Sequence, residues 1–134
     1  MVKIIINGEH GVLGRVASYA AKQALSGNEI VVVNSEKVLV SGNRENVLER
    51  YRQKTSRGAR SLKGPKFGKQ AFALVKKTIV GMVPDHRLGF GRQVSKRIMC
   101  YNGIPKEFEN EKMVSFKSGK LDKYVEMEEI VRLI

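Results

Sequence analysis

The sequence holds one cysteine, two histidines and, across its middle third, a single acidic residue, and each scarcity closes a class of function. Cys100 has no partner for an internal disulfide, and with only His10 and His86 beside it no zinc-ligand spacing can be assembled. A reducing compartment fits. No apolar stretch approaches membrane-spanning length, and MVKIIING runs straight into a strand pattern without signal-peptide architecture. The expectation is a soluble, intracellular protein. There is no internal repeat and no low-complexity segment. What is present, 134 residues of which 42% are hydrophobic and 7% aromatic, is enough for one ordinary core, so a single domain over 1–134 is expected.

The shortage of acid is local, and it is the most informative feature of the chain. Lys and Arg total 25 against 13 Asp and Glu, a formal charge of +12. Residues 50–97 contain 14 of those cations and one acid, Asp85, while the remainder has 11 basic and 12 acidic residues. All of the excess charge therefore lies in the middle, between two electroneutral flanks. Charge runs are commonly just solvated faces, but a bias of 14 to one across several glycine loops and two helix faces points to a polyanionic partner.

The first flank reads as a strand, a helix and a second strand. Ile4 to Ile6 form a short apolar strand, and Leu13, Val16, Ala17, Ala20, Ala21, Ala24 and Leu25 recur at helical spacing until Ser26-Gly27 stops them. Ile30 to Val33 are apolar on both faces, as in a parallel strand covered on both sides. A short strand at Val38 to Val40 and a Ser41-Gly42-Asn43 turn follow, with Asn43 placed to cap a helix near 44–53 that turns Val47, Leu48 and Tyr51 inward. The segment 53–70, QKTSRGARSLKGPKFGKQ, cannot pack a core and is expected to be mobile until its cations meet phosphates. Helical period returns from Gln70, with Ala71, Phe72, Val75, Thr78, Ile79 and Met82 on one arc, Lys69, Lys76 and Lys77 away from it, and Pro84 as the stop. DHRLGFGRQ is a second basic glycine loop opening a short helix with Val94 and Ile98 inward. Arg92 and Lys96 share a side at i and i+4, where like charges repel and a counter-ion is expected. Residues 106–134 form a mixed-charge tail with a closing strand or helix.

Gly8, Gly11 and Gly14, between the first strand and helix, raise the question of a nucleotide site. The spacing is G-x-x-G-x-x-G, neither the dinucleotide fingerprint G-x-G-x-x-G nor a phosphate loop ending in GK[ST]. The plainer reading is a tight turn, with Gly14 allowing close packing. Arg15 stands against the helix dipole, a cost that a nearby phosphate would offset. Asp85, His86 and Cys100 can be drawn as a catalytic set, but no motif supports it, and Cys100 reads better as a small core residue.

RNA is the better polyanion, because the basic stretch has no zinc finger, heptads or helix-turn-helix with which to read a DNA groove. Loops with scattered Tyr51, Phe67 and Phe90 suit an irregular RNA surface. Arg57, Arg60, Arg87, Arg92 and Arg97 can fork onto phosphates, while Lys54, Lys63, Lys66, Lys69, Lys76 and Lys77 act as point charges. The competing readings are a nucleotide-dependent RNA-modifying enzyme using the 8–14 turn and a nonspecific nucleic-acid-binding protein.

Four strings then carry a resemblance: LGRVAS at 13–18, VVVNSEKVLVSGN at 31–43, GMVP at 81–84 and GRQVSKRIMCYNGIP at 91–105. In this order they resemble the family of universal large-subunit ribosomal protein number thirteen, and GARSLKGPKFGKQAF looks like its archaeal and eukaryotic branch. The resemblance implies an α/β fold, a three-layer α/β/α sandwich on a small, mostly parallel four-stranded sheet. It also implies a structural component rather than an enzyme, with no cofactor and no metal. Its partners would be large-subunit ribosomal RNA and neighbouring ribosomal proteins, bound early in assembly, in the cytoplasm. The chain is expected to start at its first strand, without the N-terminal arm of bacterial members, and to vary after Pro105. Arg15, Asn43, Gly81, Arg92, Lys96, Arg97, Tyr101 and Gly103 fall on the family pattern. Val80 departs from it: the family commonly has Arg there, so one cation is missing.

Overall fold

A computed structural model describes residues 2–56, 69–84, 87, 89–116 and 121–134. Strand β1 (Lys3–Asn7), helix α1 (Leu13–Leu25) and strand β2 (Glu29–Val33) form the expected first unit. Strand β3 (Leu39–Ser41) and helix α2 (Arg44–Ser56) come next. They are followed by helices α3 (Ala71–Gly81) and α4 (Gly89–Lys96) and strand β4 (Ile98–Cys100). The tail supplies β5 (Met113–Ser115), β6 (Tyr124–Glu126) and helix α5 (Met127–Leu133).

The main sheet has the order β4-β2-β1-β5, and every pairing in it is parallel. β3 pairs instead with β6, antiparallel, in a separate two-stranded sheet. Alternation along the strands assigns the faces. Ile6, Ile30, Val32, Ile98 and Cys100 turn toward α1, α3 and α4 in one core, while Ile5, Val31 and Val33 meet Phe108 on the other side. The route from β4 to β5 explains Phe108. From β1 to β2 the chain steps toward the β4 edge with α1 over one face; the return from β4 to β5 runs the opposite way. Keeping the same crossover hand forces it over the other face. The third layer is accordingly thin, a single turn, Lys106–Phe108.

Several local expectations shift. Ile98 is fully buried, but in β4 rather than in the preceding helix, because α4 ends at Lys96. That helix also begins inside the glycine loop, at Gly89. α2 runs on to Ser56, so the basic segment starts later than 53. On α3 the buried arc is Ala71, Leu74, Val75 and Ile79, whereas Phe72 and Met82 are about 40% exposed (39% and 42%). The expected strand at Val38 to Val40 sits one residue further on. Residues 57–68 lie outside the described residues, and with them Arg57, Arg60, Lys63, Lys66 and Phe67; Asp85 and His86 do also.

Candidate nucleic-acid interface

The glycine turn is built for protein contacts. Its four consecutive N–H groups, which a phosphate would need, are all donated internally. Gly8 N–H reaches the Val33 carbonyl at 2.9 Å, His10 that of Lys37 at 3.3 Å and Gly11 that of Gly8 at 3.1 Å, while Glu9 N–H reaches Asn7 Oδ1 at 3.0 Å. A Cβ at Gly8 would stand 2.7 Å from Val38 Cγ2, and one at Gly11 would stand 2.8 Å from Val16 Cγ2 and 3.1 Å from the Phe116 carbonyl. The glycines are filled by the protein's own backbone and core. Gly14, expected to be the close-packed one, has nothing within 4 Å of its missing Cβ. The left-handed residue of the turn is His10, with φ of 58°.

Cys100 is buried, and burial pushes its thiol up to about 12 against the opposing charge of Lys76. A thiol held neutral is a core group and not a nucleophile. Among the described residues no group of three or more His, Cys, Asp or Glu could hold a metal ion, and no helix is long and apolar enough to cross a membrane.

The cations are arranged differently. α1, α3 and α4 lie on one face of the sheet, anchored by Val16, Ala20, Leu74, Ile79 and Val94. None of these three helices has an acid in its first turn, whereas α2 carries Glu45 there and α5 carries Glu128 and Glu129. Ion pairs among the described residues join Glu9 to Lys37 and His10, and Arg44 to Glu129, none of them on α1, α3 or α4. The side chains of Arg15, Lys22, Lys69, Arg87, Arg92 and Lys96 have neither an ion pair nor a hydrogen bond among the described residues. Arg92 and Lys96 are both exposed one turn apart on α4, and Phe90, 61% exposed, stands at the start of that helix. An aromatic ring interleaved with unpaired cations suits nucleotides, which offer a π face and a phosphate together.

Other expected site residues are held by the fold itself. Arg97 Nη1 donates to the Ala24 carbonyl at 3.4 Å, a cation at the negative end of α1. Asn43 Oδ1 accepts from Glu45 N–H at 3.1 Å, capping α2 as its position suggested. Lys54 lies 5.5 Å from the Tyr51 ring centroid. Tyr51 itself is no RNA platform: it is 8% exposed, and burial raises its hydroxyl pKa against the charge of Arg50. Asn43, just ahead of α2, and Lys54, on it, go with a helix that packs on α5 and β6. The sequence reading names no role for Lys22, which is signalled by its place seven residues after Arg15, on the same side of α1, and it turns Phe72 inward where the fold leaves it 39% exposed.

Comparison with known proteins adds an independent line. A family model described as "Ribosomal protein L13" matches residues 2–107. The chain is 35% identical to the large ribosomal subunit protein uL13 of Archaeoglobus fulgidus, across 97% of this chain and 86% of that one. It is 36% identical to the protein of the same name from Methanosarcina barkeri, across 94% and 93%. A third, from Methanococcus maripaludis, is 39% identical across 76% of each. The family match spans the glycine turn, α1, α3, α4 and β4, the very elements that build the basic face, and this chain belongs to the ribosomal protein L13 family.

Proposed function

We propose that this chain is a structural constituent of the large ribosomal subunit that binds its ribosomal RNA through the face formed by α1, α3 and α4. It organises RNA and turns nothing over. The observation that carries the reading is that Arg15 and Lys22 on α1 and Arg92 and Lys96 on α4 have no ion pair among the described residues, held in place by a core that uses none of them. Folded RNA supplies the missing counter-charge. Arg15 stands in the first turn of α1, where Val12 gives no side-chain cap, so a phosphate there would meet both a guanidinium and the positive helix end. The basic segment 50–97, with Arg57, Arg60, Lys63 and Lys66, extends this footprint. Neighbouring ribosomal proteins, early entry into assembly and a place in the cytoplasmic ribosome belong to the same reading, which the relatives' name, large ribosomal subunit protein, supports.

The test is binding to a large-subunit ribosomal RNA domain, titrated with salt, against equal masses of duplex DNA and transfer RNA. Neutralising six to ten phosphates makes affinity fall by roughly 10³ to 10⁵ between about 50 and 200 mM salt. Preference for ribosomal RNA at physiological salt is the expected result. Equal competition by all three polyanions would reduce the reading to charge alone.

A further inference from the structure

The basic helix face does not end at α4. Just past it the chain enters β4, the edge strand of the main sheet, and there the opposite side of the sheet is left open. The β4-to-β5 connection places Phe108 over Ile5, Val31 and Val33 but does not cover Met99, which is 43% exposed. The result is a groove of about 230 Å³ between the β4 edge and the Lys106–Phe108 turn. Drug-sized ligands take pockets from ~300 Å³ upward, so this one suits a single ring-sized group.

Its chemistry is mixed in a specific way. Met99 and the Tyr101–Phe108 ring pair, with centroids 6.1 Å apart, supply apolar and aromatic surface. Lys96 and Arg97 stand at the α4 end, and Lys3 lies over the Phe108 ring at 5.4 Å. Glu29 and Glu107 also line the groove and have no ion pair among the described residues. Carboxylates only accept hydrogen bonds, so they repel a phosphate from their part of the groove and favour a group rich in N–H donors. A nucleotide meets all three demands at once.

We propose that this groove receives one unstacked nucleotide of the bound RNA, its base against Met99 and Tyr101 and its phosphate on Lys96 or Arg97. Guanine fits best, because its adjacent N1–H and N2–H donors match a carboxylate, whereas uracil places its one N–H between two carbonyl oxygens. The inference rests on the ribosomal RNA reading and extends its footprint around the β4 edge. A protein strand added to that edge is the other possible occupant. β4, however, is three residues long and directly preceded by Lys96 and Arg97, and short, charged edges are those that resist strand addition.

Large subunits carrying Met99→Cys, labelled with a thiol-directed benzophenone and irradiated, test the occupant. Phe90→Cys reports the helix face, and the unsubstituted chain controls for the buried Cys100. An adduct from Met99→Cys on a single-stranded ribosomal RNA nucleotide is the expected result. An adduct on a protein overturns the proposal, as does no adduct when Phe90→Cys cross-links to RNA. Absence of RNA adducts from both positions would overturn the ribosomal RNA reading with it. A second measurement compares the full chain's affinity for an oligouridylate with one carrying a single guanosine. About tenfold preference for guanosine is expected, a typical size for one bidentate base contact, and it should vanish in the Glu29→Gln, Glu107→Gln double variant. Equal affinity of the unsubstituted chain for the two oligonucleotides would overturn the guanine assignment.

Discussion

Alanine at Gly8 and alanine at Gly14 should move stability in opposite directions, although both glycines belong to one short motif. At Gly8 the new methyl would lie 2.7 Å from Val38 Cγ2, 3.1 Å from the Val33 carbonyl and 3.2 Å from that of Asn34. Val38 is fully buried and stiff, and the two oxygens are backbone, so no cheap movement relieves the contact. Overpacking of this kind costs about 1–3 kcal/mol. At Gly14 the methyl enters open space on a helix, where replacing glycine restricts the unfolded chain and stabilises by about 0.4–1 kcal/mol. With roughly 3–6 °C of Tm per kcal/mol for a domain of this size, the two variants should separate by several degrees in calorimetry, and by midpoint in urea. The mechanism is refuted if Gly8→Ala is neutral, or if Gly14→Ala is as destabilising as Gly8→Ala. The second outcome would return Gly14 to the close-packed role that its place in the motif suggested.

Replacing Arg92 and Lys96 together by Ala should lower the slope of log affinity for ribosomal RNA against log salt by about 2 while leaving Tm unchanged or slightly raised, since an i, i+4 repulsion is removed. An unchanged slope would take α4 out of the interface. Substituting Arg57, Arg60, Lys63 and Lys66 together by Ala should weaken RNA binding and leave far-ultraviolet circular dichroism and Tm intact; global unfolding would contradict the loop reading of that segment. Cys100 should resist iodoacetamide at pH 8 until the chain is unfolded. Its folded thiol titrates near 12 and its unfolded one near 9.0, so its contribution to stability is whole below pH 9 and lost as pH rises toward 12. Alkylation of the native protein at the rate of a free thiol would refute that burial. Adenosine triphosphate or a nicotinamide dinucleotide should leave Tm unmoved, because the N–H groups of the 8–11 turn are already donated; saturating binding at 100 times Kd would instead add about 2.7 kcal/mol.

What the sequence made legible is what local periodicity controls. α1 was readable to its ends because Leu13 to Leu25 repeats without interruption and Gly27, at φ of 99°, terminates it. β2 was readable because Ile30 to Val33 are apolar on both sides, which only a central strand requires. β4 was missed because three residues are too few to show a period, and Ile98 continues the apolar spacing of Val94. Phe72 and Leu74 exchanged roles because both are apolar and two residues apart on one helix. Which of them faces inward depends on where α1 and β4 lie, and that is not local information. The pairing of β3 with β6 joins residues more than 80 positions apart and left no trace in either segment.

The candidate face was legible for a different reason. Charge needs no fold to be counted, and a run of 14 cations with one acid survives any arrangement of helices. What only three dimensions could add is that Arg15, Lys22, Arg92 and Lys96 have no ion pair among the described residues. Thirteen acids are enough to pair half of the 25 cations, yet the pairs that form among the described residues hold the glycine turn and the α2–α5 contact. The acids are concentrated in the flanks, and the fold places Glu45 on α2, Glu128 and Glu129 on α5, and Glu29 and Glu107 at the open side of the sheet. Like charges on α4 are then tolerable because Val94 is fully buried in the core and an exposed i, i+4 repulsion costs only about 0.2–0.5 kcal/mol. A modest penalty in the free protein is thus exchanged for unpaired charge at Arg92 and Lys96, and in the function proposed above RNA supplies the counter-charge.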